Sequence, residues 1–129
     1  GVALIGDTAG ASDPAFGLGL GLALYDVRTL RDLLLSSDDW DAMAHAYAAE
    51  HDRYFGAVHG VENWLTKLVY SVGPEADARR AEVAPLHKAE PDRKPDLVGL
   101  GPATPSDETA RRRFFGEDAK EKSRPAGVQ

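Results

Sequence analysis

The sequence predicts a mostly α chain, one strand followed by several helices, and three observations carry that prediction. Val2 to Ile5 is a continuous apolar run with branched residues, and such a run stopped by a turn reads as a buried strand. From Gly17 onward, apolar residues recur every three or four positions, which is the period of an amphipathic helix. Clusters of Ser, Asp, Pro and Gly interrupt that pattern where helices start and stop.

The strand ends at Gly6-Asp7. A loop of small and turn-forming residues follows, Thr8 to Phe16, with Asp13-Pro14 inside it. Gly17, Gly19 and Gly21 then open the first helical segment, Gly17 to Leu35. A helix N-terminus offers free backbone N–H groups and a partial positive charge. Without β-carbons, a flat or anionic ligand can approach that backbone closely. Neither common nucleotide motif is present. Counted from Gly17 the third position of G-x-G-x-x-G is Leu22, counted from Gly19 it is Leu24, and the stretch has no lysine for a P-loop.

Along this first helix, Leu20, Leu24, Val27, Leu30 and Leu34 form an apolar stripe, with Arg28, Arg31 and Asp32 on other faces. Ser36-Ser37-Asp38-Asp39 ends it and caps a second helical segment, Asp39 to Val72. Its stripe runs through Trp40, Met43, Tyr47, His51, Tyr54, Val58, Val61, Leu65, Leu68 and Val72, with Gly56 and Gly60 as points of bending. Aromatic residues at this spacing are expected in the core. His45, His51 and His59 do not form a ligand pair at helical spacing, and His59 with Glu62 is expected to make an ordinary hydrogen bond. No metal site and no catalytic nucleophile is assigned.

Gly73-Pro74 separates this segment from a third helix, Pro74 to Pro85 or Glu90, with Glu75 and Asp77 in its first turn. The proline-rich stretch Pro91 to Pro105 is expected to be an extended connection, Asp96 to Leu100 being a weak strand candidate. Ser106-Asp107-Glu108 caps a short last helix through Phe115, with Phe114 or Phe115 docked on the body. The charge of Arg111-Arg112-Arg113 is largely cancelled by Asp107, Glu108, Glu117 and Asp118. Glu117 to Gln129 reads as a disordered tail. The organisation is therefore strand–loop–helix over 1–35, a helical region over 36–115 and a tail over 116–129.

At 129 residues with a formal charge of −6, the chain suits one small domain and disfavours nucleic acid or an anionic membrane as partner. It has no cysteine, which excludes disulfides and thiolate metal sites and fits a cytoplasmic protein. No apolar run approaches the roughly 20 residues that span a bilayer.

Gly6-Asp7, Pro14-Ala15-Phe16-Gly17-Leu18-Gly19 and Asp26-Val27 stand at the spacing of a known pattern. The stretch resembles the second FAD-contacting motif of the para-hydroxybenzoate hydroxylase-like flavoprotein monooxygenases, over the first quarter of the chain. The resemblance implies that the chain is a C-terminal portion of an α/β, Rossmann-like FAD-binding fold, the N-terminal half lying outside this sequence. It implies that Gly6 and Asp7 sit at the flavin's ribityl chain, Asp7 accepting hydrogen bonds from a hydroxyl. Pro14 would fix the turn beside the isoalloxazine, and the backbone of Gly17, Leu18, Gly19 and Leu20 would face its pyrimidine edge. Asp26 would serve packing or a local hydrogen bond.

By the same resemblance, NAD(P)H and oxygen would be co-substrates, and a small organic substrate would be hydroxylated or epoxidised. Tyr54, Phe55 or Trp64 would be placed to border the substrate cavity. This chain by itself would be inactive. Gly10 and Gly21 depart from the pattern, since many hydroxylases carry His and Asn there, and related halogenases and reductases vary at both positions. Flavin-dependent halogenation or double-bond reduction is the alternative activity. From another class comes the alternative of a non-catalytic helical module whose glycines serve packing alone.

Overall fold

The structure is a computed structural model and describes residues 2–122. It is mostly helical. α1 (Gly19–Ser36) and α2 (Trp40–Val69) form an antiparallel hairpin. Ser36 lies beside Met43 and Tyr25 meets Tyr54, while Phe16, just before α1, meets Tyr70 just after α2. So short a connection forces the two helices side by side. Asp39 starts α2 by accepting the Ala42 amide at 3.0 Å. Gly73, at φ 106°, turns the chain into α3 (Pro74–Ala89), where Pro74 takes a first-turn position with no amide to satisfy. Arg80 of α3 donates to the Leu68 and Ser71 carbonyls at 3.1 and 2.7 Å, which closes the far end of α2.

The remaining chain crosses back over α2 in short helical pieces. α4 (Leu97–Leu100) is followed by α5 (Glu108–Phe114) and α6 (Glu117–Lys122), and 3-10 turns occupy Pro91–Arg93 and Gly101–Ala103. Asp96 and Asp107 cap α4 and α5 through the Gly99 and Ala110 amides, each at 2.8 Å. Gly116, at φ 73°, makes the bend into α6. The positive φ is what favours glycine there, and a β-carbon would come 2.4 Å from a terminal methyl of Leu86 of α3, which would have to turn aside. The core gathers Leu22 of α1, Tyr54, Val58, Val61 and Trp64 of α2, Leu97 of α4 and Phe114 of α5.

Several expectations change. Val2 to Ile5 is not a strand. Ile5 is extended (φ −136°, ψ 158°), but no strand lies among the described residues to pair with it, and Val2 is 91% exposed. The predicted stripe of α1 is not the buried face: Leu20, Leu24 and Val27 are 75%, 62% and 48% exposed, Leu34 is exposed and Leu30 half-buried, whereas the buried residues of α1 are Leu22 and Asp26. α2 packs against the neighbouring face. The stripe of α2 is buried from Tyr47 to Val61, but Trp40 and Val72 at its ends are exposed.

Pro91 to Pro105 is not extended. Pro91 and Pro102 each enter a 3-10 turn at its first turn, and Asp96 caps a helical turn instead of entering a strand. Glu117–Lys122 is helical rather than disordered, because ion pairs hold it down. Arg111 pairs with Glu117 at 2.9 Å, the buried Arg93 with Asp118 at 2.8 Å, and Lys120 with Glu82 at 2.7 Å. The rest of the predicted tail, 123–129, lies outside the described residues. Phe114 docks in the core as expected, 1% exposed. Among the described residues, no helix is long and apolar enough to cross a membrane.

His87 of α3 lies within 2.8 Å of the Phe114 carbonyl through Nε2, so that nitrogen carries the hydrogen. Burial holds its pKa below the ordinary histidine value. The carbonyl opposes this, and the positive Lys94 and Arg93 add to the lowering. The folded form therefore binds this proton less readily than the unfolded chain does. The contribution to stability is complete above about pH 6.5 and is lost as pH falls through the folded value. The melting temperature should drop between pH 7 and 5, and His87→Gln should flatten that drop. Circular dichroism melts at each pH check this, and an unchanged slope in the variant would refute it.

Candidate functional site

The residues singled out in the sequence come together where the first loop meets the start of α1. Gly6 has φ 57°, and its amide donates to Oδ2 of Asp26 at 2.6 Å. Asp26 is 1% exposed, and this hydrogen bond ties the loop to the middle of α1. The Gly6 amide is thus committed within the protein, and Gly6 contributes the turn that releases Asp7. Asp7 is exposed, and its carboxylate has no hydrogen-bond or ion-pair partner among the described residues. It faces the first turn of α1, where a β-carbon on Gly19 would lie 3.6 Å from Asp7 Oδ1.

Asp13 accepts the Ala15 amide at 2.9 Å and so starts the 3-10 turn Pro14–Phe16, with Pro14 exposed at its first position. Gly17 closes that turn at φ 68°, its amide bonded to the Pro14 carbonyl at 3.1 Å. That leaves Leu18, Gly19, Leu20 and Gly21. Among the described residues their backbone N–H groups have no acceptor, since no side chain caps α1 and the helix's first hydrogen bond runs from the Leu22 amide to the Leu18 carbonyl. Uncapped first-turn amides are a concentrated donor set with a partial positive charge. No side chain stands between them and the Asp7 carboxylate at Gly19. The arrangement can receive a group that donates to a carboxylate at one end and accepts from amides at the other.

The two departures from the flavoprotein pattern have different physical settings. A β-carbon on Gly10 would come within 2.7 Å of the Phe55 ring, so that ring occupies the space a side chain at position 10 would need. At Gly21 nothing lies within 4 Å of the added carbon, so a larger residue would fit. Of the aromatic residues proposed to border a substrate, Tyr54 and Trp64 are in the core and Phe55 backs the loop. His59 Nδ1 is 3.6 Å from Glu62 Oε2, beyond hydrogen-bond distance. Among the described residues, no group of three or more acidic or histidine side chains could hold a metal ion.

No family model, curated protein or solved structure matches this chain.

The apolar stripe places α2 in the core and says nothing of how the helix grips this loop. The signal that could have found this is the i, i+4 run His51, Phe55, His59 on one face of α2. Phe55 is stacked between the two imidazoles, at 5.5 and 5.7 Å between ring centroids, so it cannot swing away freely. Gly10→Ala should therefore cost about 1–3 kcal/mol by overpacking. Phe55→Leu in the same chain should recover part of that loss, giving a cost below the sum of the two single changes. Urea denaturation of the four chains measures it, and additive costs would show that the contact is not the cause.

Proposed function

We propose that this chain is the part of an FAD-dependent oxidoreductase, of the monooxygenase type, that contacts the ribityl chain and isoalloxazine of the flavin. The observation that carries the reading is the unpartnered Asp7 carboxylate beside the four unpartnered amides from Leu18 to Gly21. A ribityl hydroxyl suits the first and the electron-rich pyrimidine edge of a flavin suits the second. Pro14 opens the tight turn that Gly17 closes, immediately before those amides.

When bound, the cofactor would supply the redox chemistry, with NAD(P)H and oxygen as co-substrates and a small organic molecule as substrate. The residues of this chain bind and orient. Asp7 fixes one end through hydrogen bonds. The amides of Leu18, Gly19 and Leu20, at the positive end of α1, favour extra negative charge on the edge they face. No side chain here is assigned proton transfer. The ADP-binding half of the cofactor site would belong to a region outside this sequence. The exposed run from Val2 to Ile5 and the exposed leucines of α1 supply apolar surface for such a region to cover.

The test is the visible absorption spectrum of the complete protein that carries this chain, purified beside its Asp7→Ala variant. The expected result is a flavin spectrum in the parent and about tenfold weaker FAD binding in the variant, the scale of one lost charged hydrogen bond. A colourless parent that takes up no added FAD overturns the reading and favours the helical packing module.

A further inference from the structure

Two buried carboxylates hold the loop by the same device. At its start, Asp26 accepts the Gly6 amide through Oδ2, while its Oδ1 has no hydrogen-bond partner and lies 4.0 Å from Nε2 of His51. At its end, Glu62 accepts the Ser12 hydroxyl through Oε1, while its Oε2 has no hydrogen-bond partner and lies 3.6 Å from Nδ1 of His59. Asp26 is 1% exposed and Glu62 2%. Between them, His51, Phe55 and His59 form the stacked ring ladder that fills the space at Gly10. Tyr47 adds a third tie by donating to the Leu4 carbonyl at 2.8 Å. From Tyr47 to Glu62, α2 rises about 22 Å, so one rigid rod backs the loop from Leu4 to Ser12.

The cost of these carboxylates decides what they are for. A buried acid with one oxygen unsatisfied is expensive, and an apolar side chain of similar size would stabilise the fold better. What each acid does supply is a directional tie to one point of the loop. Gly6 immediately precedes Asp7, and Ser12 immediately precedes Asp13, whose turn leads to the free amides of α1.

We propose that Asp26 and Glu62 are a pair of positioning residues that fix the two ends of the flavin-contacting loop, and so set the distance between Asp7 and the amides of α1. This rests on the flavin reading above. The acceptor oxygen is the working group, not the charge. An amide at either position keeps the acceptor, and its NH2 can replace the unpartnered oxygen.

The experiment is FAD titration by fluorescence quenching, together with the flavin's visible spectrum and reduction potential. It uses the complete protein and its Asp26→Ala, Asp26→Asn, Glu62→Ala and Glu62→Gln variants. Each alanine variant should bind FAD about tenfold more weakly and shift the potential, and each amide variant should stay within about threefold of the parent. Val83→Ala serves as a control, because it opens a cavity in α3 away from the loop and should lower the melting temperature without changing FAD affinity. Alanine variants that bind like the parent overturn the proposal. So do amide variants as weak as the alanine ones, or a Val83→Ala variant that loses affinity to the same degree. A parent that binds no FAD overturns the flavin reading itself, and the positioning proposal with it.

Discussion

α2 has to satisfy two neighbours at once, and the rest of the chain depends on that double contact. One part of its surface, Tyr54, Val58, Val61 and Trp64, closes the core against Leu22, Leu97 and Phe114. An adjoining stripe, Tyr47, His51, Phe55, His59 and Glu62, lies along the first loop. Tyr25 of α1 meets Tyr54 edge-on at 4.6 Å, and Tyr54 in turn meets His51 at 5.3 Å, so the hairpin contact adjoins the stripe that faces the loop. A rotation of α2 that improved one contact would spoil the other. In this way the packing of an ordinary helical hairpin becomes the ruler for the candidate site.

Much of the helical order is legible without coordinates because it is written in local chemistry. Asp39 and Asp107 each cap a helix with their own side chain, and Pro74 opens α3, as their positions in the sequence say; Asp13 and Asp96 do the same, unannounced, inside stretches that read as loop and weak strand. Periodicity found the buried run of α2 from Tyr47 to Val61. It did less well on α1, which is apolar over too wide an arc for a stripe to say which side meets α2. Arg93, Arg111 and Lys120 order α6 through ion pairs, and two of those pairs reach partners 25 or more residues away. No local pattern records such a partner. The expectation of a strand at Val2 to Ile5 failed for a related reason, since a strand is a property of a pair and no other strand lies among the described residues.

The candidate site divides along the same line. Asp7, Pro14 and the alternating glycines could be named from the sequence, because the resemblance that singles them out rests on residue type and order along the chain. Asp26, Phe55 and Glu62 act across 20 to 50 residues: the sequence singles out Asp26 but only for packing or a local hydrogen bond, and nothing in it joins Phe55 to Gly10 or Glu62 to Ser12. Tyr47 is similar. It reads as a core aromatic, yet its hydroxyl is held on the Leu4 carbonyl, and burial together with nearby Asp26 pushes its pKa up to about 12. It therefore remains a phenol, able to donate, throughout the range in which the protein would work.

The nearness of Gly10 to Phe55 also turns the loop into its own reporter. The hydrogen on Gly10 that stands where a β-carbon would be lies against an aromatic ring held in place by two imidazoles. Ring currents must displace its magnetic resonance from that of its geminal twin. The splitting between the two signals then gauges, in solution and without any label, how closely the loop is seated on α2.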